Sequence, residues 1–199
     1  MSGFLDDYGL LRRGGPDEVR LVYRNPDADW RRYHAVMLEP AAIWRSGRKS
    51  LDPVPDDDLL RLAHDFEQAL RARLGRSFRL VDRPGPGVLR IRLAITQARA
   101  SDSVLDVFTV PPGEETQLAT GNEPLHPETR RFLGLAVIEG ELVDAETGTL
   151  LAQGVDGPRR ADAPPLDTWA DVDRGFARWA DRVCARLETR TGTVPAPGK

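Results

Sequence analysis

The alternating segment from Val88 to Thr96 limits most tightly what this chain can fold into. Its apolar residues occupy every second position, Leu89, Ile91, Leu93 and Ile95, and the residues between them are Arg90, Arg92, Ala94 and Thr96. Successive side chains of a strand point to opposite faces of a sheet, so this segment predicts a half-buried strand. The apolar face of such a sheet must then be covered by another part of the chain.

Two further segments have the three- and four-residue spacing of amphipathic helices. The first begins at the carboxylates of residues 56–58, which favour the positive end of a helix, and Gly75 can cap its other end. Its apolar stripe consists of Leu59, Leu62, Ala63, Phe66, Ala69, Leu70 and Leu74. The second helix is predicted from Trp169 to Arg190, with the stripe Trp169, Val172, Phe176, Trp179, Ala180, Val183 and Leu187. Cys184 lies beside that stripe, and we expect it to be packed.

One apolar stripe on each helix predicts a two-layer α+β fold. We expect a mixed or antiparallel sheet of about five to six strands, with the two long helices on one face. The strands are predicted near residues 19–24, 35–38, 78–81, 88–96, 131–143 and 150–155.

The chain length of 199 residues fits one domain. Residues 1–18 contain a Gly-Gly-Pro breaker and are expected to form an N-terminal arm, followed by a single α+β domain over 19–190 and a flexible tail over 191–199. Segment 101–130 is rich in proline and lacks periodicity, so we expect it to be the most mobile part of the body.

No motif in the chain predicts a catalytic centre. His34, His64 and His126 share no metal-ligand spacing with other histidine, cysteine or acidic residues. Neither a nucleophile elbow nor a phosphate-binding glycine loop is present. We therefore predict no catalytic residue, no metal and no cofactor. The 28 basic and 31 acidic residues nearly balance, which argues against a nucleic-acid partner.

Trp44, Arg45 and Arg48 form the candidate binding site. An aromatic ring next to several cations suits contact with a sugar, a phosphate or a lipid headgroup. The alternative is a solvated loop with Trp44 against the sheet edge. Residues 30–33 have a similar composition, and there Trp30 and Tyr33 can instead anchor the chain as it enters a central strand.

Charged side chains mark the polar face of two predicted strands. Arg90 and Arg92 lie on one strand, and Glu139 and Glu141 lie on another. If these strands are neighbours, the side chains can form two opposite-charge pairs across the ladder. We expect this face to be uncovered, structural surface, with the binding site nearer the loops at 41–55 and 101–130.

A set of turns and anchoring aromatic residues occurs along the chain in a recognisable order. It comprises Asn25-Pro26-Asp27-Ala28-Asp29-Trp30 with Tyr33, Val36-Met37-Leu38-Glu39-Pro40, Asp82-Arg83-Pro84-Gly85-Pro86-Gly87-Val88-Leu89-Arg90, Asp144 with Thr147-Gly148, Trp169 with Asp171-Val172, and Phe176 with Trp179-Ala180. Together these motifs, from Gly3 to about Glu188, resemble an uncharacterised bacterial lipoprotein family, domain of unknown function 3313.

The resemblance implies a lipoprotein that is lipidated on a cysteine upstream of Met1 and tethered to a membrane facing the periplasm. It implies no reaction. We therefore expect a non-catalytic cell-envelope lipoprotein that binds a partner protein or an envelope polymer and contacts the membrane only through the upstream anchor. The alternatives are a periplasmic hydrolase using loop carboxylates and a structural subunit that oligomerises through a sheet edge. A deep pocket with convergent acids favours the hydrolase.

Overall fold

The computed structural model describes residues 2–15, 18–45, 51, 54–97, 100–101, 131–132, 137–157 and 169–194. The strands are β1 (Arg12–Arg13), β2 (Leu21–Arg24), β3 (Ala35–Leu38), β4 (Ala42–Ile43), β5 (Arg79–Leu80), β6 (Val88–Gln97), β7 (Ala100–Ser101), β8 (Arg131–Phe132), β9 (Val137–Asp144) and β10 (Leu150–Asp156). The helices are α1 (Asp56–Leu74) and α2 (Trp169–Thr191), with short 3-10 turns at Tyr8–Leu10 and Trp30–Arg32.

The fold is α+β with a mixed sheet, as the sequence predicts. Strand order is β1-β2-β10-β9-β6-β3-β5, and β4 also pairs with β6. Strand β3 runs parallel to both β5 and β6, β4 runs parallel to β6, and the other pairs of this sheet are antiparallel. The predicted number of about five to six strands is wrong, because in the described part of the chain this sheet has eight. The extra members β1 and β4 are two residues long and are too short to show alternation.

Both helices cover the same face of the sheet. The helix residues share one core cluster with the alternate β6 residues Leu89, Ile91, Leu93 and Ile95. Phe66 of α1 is fully buried, and its ring centroid lies 5.0 Å from those of both Phe176 and Trp179 on α2. Cys184 is also fully buried, so its prediction as a packed residue is confirmed, and burial raises the pKa of its thiol to about 12.

The start of α1 differs from the expected cap. Residues 56–58 lie inside the first helical turn, where their charges favour the helix dipole. The N-cap position belongs to Pro55, and no side chain caps it. The carboxylates therefore act through charge alone at this helix end.

The N-terminal arm covers the face of the sheet opposite the helices. Phe4 and Leu5 are buried against Ala94 and Val155 in a second apolar cluster. The Tyr8 hydroxyl donates to the Glu139 carboxylate, which is buried. The prediction that this face is uncovered is therefore wrong. The sequence did not predict the cover, because the apolar residues of the arm precede the first strand and show neither strand nor helix periodicity.

One of the two predicted charge pairs forms on that face. Arg92 lies opposite Glu141 in the β6–β9 register and pairs with it. Arg90 lies opposite Val143 instead, and its Nε is 3.6 Å from the Glu39 carboxylate. The strands are neighbours as expected, but their register places Glu139 opposite Ala94. The second pair is therefore not formed.

Candidate functional site

Small residues of β9 and β10 face α2 in one region of the sheet. Gly140 of β9 lies directly opposite Gly154 of β10, and Ala152 follows two residues away on the same face. These three positions face the helices, because the register aligns them with the core residue Leu93 of β6 and its neighbours. Neighbouring side chains lie close to both glycines: a Cβ on Gly140 would be 2.4 Å from Leu93 Cδ2, and one on Gly154 would be 2.9 Å from Val19 Cγ2. Beside these contacts a gap remains between this part of the sheet and α2.

The gap is an apolar cavity of about 120 Å³, with a second cavity of about 110 Å³ adjoining it. The residues that line both are Val19, Val22, Leu142, Ala152, Val183 and Leu187. The deeper cavity is closed by core residues of α1 and β6, among them Leu70 and Ile91. We refer to the two cavities together as the α2 cleft.

Arginine side chains surround the outer part of the α2 cleft. Arg24, Arg186 and Arg190 line the second cavity together with Glu18, which pairs with Arg24. The Arg190 guanidinium carbon lies 5.6 Å from the centre of the Trp30 ring. Burial lowers the pKa of Arg190, and the charges of Arg24 and Arg186 lower it further. Of the residues that the structure describes, three guanidinium groups and one carboxylate line the mouth of the cleft.

The other end of the cleft is fixed by Asp156 and Trp179. The Trp179 indole Nε1 donates to Asp156 Oδ2 at 3.0 Å. The second carboxylate oxygen of Asp156 accepts from the backbone N–H groups of Arg20 at 3.3 Å and Gly157 at 3.0 Å. These bonds tie β10 to α2 and to the start of β2, so they hold the cleft walls in place.

The residues predicted as the binding site lie away from the cleft. Trp44 is 38% exposed, its indole Nε1 donates to the Ser2 carbonyl at 3.3 Å, and its ring contacts Phe4 edge-on at 5.5 Å. Arg45 is exposed and pairs with Asp56. Arg48 lies outside the described residues. Trp44 and Arg45 are consecutive residues directly after β4. Ligand binding at these residues stays a prediction.

Sequence reasoning missed the arginines of the cleft mouth. Arg186 and Arg190 are four residues apart on α2, a spacing that puts two side chains on one helix face. The two strand glycines are also visible in the sequence. The pairing of β2 with β10 brings Arg24 and Val22 beside α2. These two strands are far apart in the sequence, so no local sequence pattern predicts that they meet.

The other buried titratable groups are held by partners within the fold. The Tyr33 hydroxyl donates to Asp144 Oδ2 at 2.8 Å, and burial together with this carboxylate raises the pKa of Tyr33 to about 12. Burial alone would raise the pKa of Asp144, but hydrogen bonds from Thr147, Tyr33 and Glu146 lower it overall. These bonds join Tyr33 to the turn between β9 and β10.

Among the residues that the structure describes, no three histidine, cysteine or acidic side chains are grouped to hold a metal ion. Neither described helix has the length and apolar character needed to cross a membrane. Residues 102–130 lie outside the described part of the chain. They include many of the loop carboxylates of the hydrolase alternative and nearly all of the segment expected to be mobile. Both ideas stay predictions.

Residues 1–183 match the sequence model of the family described as Protein of unknown function (DUF3313). No curated protein is similar enough to the chain to match it. The PelC dodecamer from Paraburkholderia phytofirmans matches at 13% identity and a TM-score of 0.38, over 83% of this chain and 95% of that chain.

Two other solved structures are similar at the same low level. A protein described as a lipoprotein from Caulobacter crescentus has 17% identity and a TM-score of 0.37, over 66% of this chain and 84% of that chain. A neuraminyllactose-binding hemagglutinin homologue from Helicobacter pylori has 13% identity and a TM-score of 0.32, over 90% of each chain. All three TM-scores lie below 0.5.

Proposed function

The chain belongs to the DUF3313 family, and from this premise we propose that it is a non-catalytic cell-envelope lipoprotein whose domain binds an envelope component. The lipid is attached to a cysteine upstream of Met1 and holds the protein at a membrane that faces the periplasm. Residues 1–18 then act as the arm between the anchor and the α+β domain of residues 19–190, and the last nine residues form a tail.

The observation that carries this proposal is the chemistry of the α2 cleft. Its interior is formed by apolar side chains and strand glycines, and its mouth by arginines. A concave apolar site with a few charged groups at the rim is the usual form of a binding site. Among the described residues, the acids that line the cleft are Glu18, which pairs with Arg24, and Asp156, which accepts from Trp179. This arrangement favours binding over catalysis.

A second contact point is the segment of Trp44, Arg45 and Arg48. Trp44 keeps more than a third of its surface exposed while it anchors the arm. Trp44 therefore lies beside the start of the arm, and a protein bound near the membrane anchor would reach it first. We propose that it contacts a partner protein, while the α2 cleft receives the envelope component.

Photocrosslinking in the native envelope tests the proposed function. The protein is expressed behind a lipoprotein leader, and a photoreactive amino acid replaces Arg186 at the cleft, Arg45 near Trp44, or Arg83 in the exposed turn before β6. We expect the protein in the membrane fraction and discrete adducts from the positions of Arg186 and Arg45 that are absent from that of Arg83. A protein found in the cytosol, or the same adducts from all three positions, would refute the proposed function.

A further inference from the structure

We propose that the α2 cleft binds a single-chain lipid with an anionic headgroup: the acyl chain lies between α2 and the small residues of β9 and β10, and the headgroup contacts Arg186 and Arg190. This inference rests on the proposed function and narrows the envelope component to one chemical class.

The interior of the cleft suits an acyl chain. An apolar cavity of ~150 Å³ stays dry and admits small apolar guests, and the two adjoining cavities here are about 120 and 110 Å³. Each methylene that leaves water for such a site contributes about 0.8 kcal/mol. The walls are aliphatic side chains on both sides, Val22 and Ala152 from the sheet and Val183 and Leu187 from α2. A flexible chain can occupy this narrow space, whereas a peptide helix of about 10 Å diameter cannot.

The mouth of the cleft suits an anion. Three guanidinium groups line it, and among the described residues Glu18, which pairs with Arg24, is the carboxylate that lines it with them. Within the described part of the chain Arg190 has no ion pair with a carboxylate; its guanidinium lies over the Trp30 ring. The lowered pKa of Arg190 reflects burial and the neighbouring positive charges, both of which a bound anion would offset. Guanidinium groups bind carboxylate and phosphate oxygens in paired, charge-assisted hydrogen bonds.

The combination selects one class of ligand. A free phosphate would use the arginines and leave the apolar interior empty. A neutral lipid would fill the interior and leave Arg190 without a carboxylate or phosphate partner. Only a molecule with both parts, such as a fatty acid or a lysophospholipid, matches the cavity and its mouth together.

Fluorescence binding tests the inference on the purified full chain. The probe is dansyl-undecanoate, whose emission rises in an apolar site, and the competitors are lysophosphatidylglycerol, monoolein and inorganic phosphate, the lipids being kept below their micelle-forming concentrations. We expect saturable probe binding that lysophosphatidylglycerol displaces. Displacement by monoolein at equal strength would refute the role of the arginines, and displacement by phosphate alone would refute that of the apolar interior.

Variants separate the two halves of the site. Arg190→Gln and Arg186→Gln should each weaken probe binding by about tenfold, the loss of one charge-assisted hydrogen bond, while the matched change Arg83→Gln has no effect. Val183→Phe, which fills the gap from the helix side, should abolish binding while the melting temperature shows that the domain still folds. Should Val183→Phe fail to fold, Ala152→Leu gives the same test from the sheet side.

Two results overturn the inference. The first is absence of saturable probe binding to the natural chain, and the second is binding that all of these variants retain. If the ligand class is wrong but the proposed function is right, either result would still be accompanied by photocrosslinks from the position of Arg186 to an envelope component. Failure of the ligand class and failure of the proposed function are therefore distinguishable.

Discussion

Gly87 occupies the tightest backbone position in the turn that leads into β6. Its φ is +68°, and a Cβ atom there would lie 2.9 Å from the Arg32 carbonyl oxygen and closer still to the His34 ring. Gly85, two residues earlier in the same Pro-Gly-Pro-Gly turn, has no atom within 4 Å of the corresponding point. The two glycines look alike in the sequence, but only Gly87 carries both a left-handed conformation and a close neighbour.

We therefore predict that Gly87→Ala destabilises the protein and that Gly85→Ala does not. A left-handed conformation costs an alanine about 1–2 kcal/mol, and the contact with the Arg32 carbonyl adds to that cost. Urea denaturation of both variants measures the two changes in the free energy of unfolding. Equal effects would contradict the account of this turn.

Glu188 is the carboxylate that joins the two helices. It accepts from Arg73 of α1 at 2.6 and 3.1 Å and from the Ser77 hydroxyl. The hydrogen bonds from Arg73 lower the pKa of Glu188 below its ordinary value of 4.5, although burial opposes the shift. Asp181 contacts the same arginine at 2.9 Å, but its side chain is 63% exposed. One guanidinium thus has a buried and an exposed partner.

We predict that Glu188→Gln lowers the free energy of unfolding by about 2 kcal/mol at neutral pH, the range of a hydrogen bond to a charged group. A depressed pKa means that this contribution is fully present above pH 4.5 and is lost as the pH falls through the lower folded-state pKa. The difference from the natural chain should therefore shrink below pH 4.5 in thermal melts. Asp181→Asn is the control and should change little, since exposed pairs contribute ~0–1 kcal/mol. A difference that grows in acid would contradict this assignment.

At the scale of elements, α1 and α2 are held together by aromatic rings of unequal burial. Phe66 is fully enclosed, while Trp179 is only partly buried and keeps its indole N–H on Asp156. Leu60 on the same helix as Phe66 is 64% exposed. The sequence predicted Trp179 as a member of the apolar stripe, but its position at the cleft gives it a polar partner as well.

We predict that Phe66→Ala lowers the free energy of unfolding by about 3–5 kcal/mol, because the cavity it leaves is closed on all sides. Trp179→Ala should cost less than Phe66→Ala, and Leu60→Ala less than about 0.5 kcal/mol, as expected of a surface position. Denaturant melts give this order directly. A larger loss for Trp179 than for Phe66 would show that the enclosed ring is not the centre of the helix contact.

The elements with local periodicity could be predicted from the sequence, and those without it could not. Helix α1 and the long strand β6 follow from residue spacing. The two-residue strands depend on pairing with distant partners. The position of Phe4 and Tyr8 over β6, β9 and β10 depends on contacts more than a hundred residues apart in sequence, such as that between Tyr8 and Glu139.

At the scale of the whole molecule, the two faces of the sheet have different roles. The N-terminal arm seals one face, with Glu139 and Glu141 buried beneath it or paired with arginine. The helices cover the other face and leave the α2 cleft beneath α2. The candidate site could not be read from the sequence because its walls come from β2, β10 and α2, which meet only in the folded protein. We therefore propose the cleft, rather than the sealed face, as the place where a ligand binds.

Methyl NMR of the full chain tests this central claim most directly. Val22, Val183 and Leu187 line the cleft, whereas Leu51 and Val54 are buried in the same core away from it. On titration with lysophosphatidylglycerol below its micelle-forming concentration, we predict saturable shifts of the three cleft methyl groups and unchanged signals from Leu51 and Val54. Shifts confined to Leu51, Val54 and the Trp44 indole, with the cleft signals unmoved, would contradict the account.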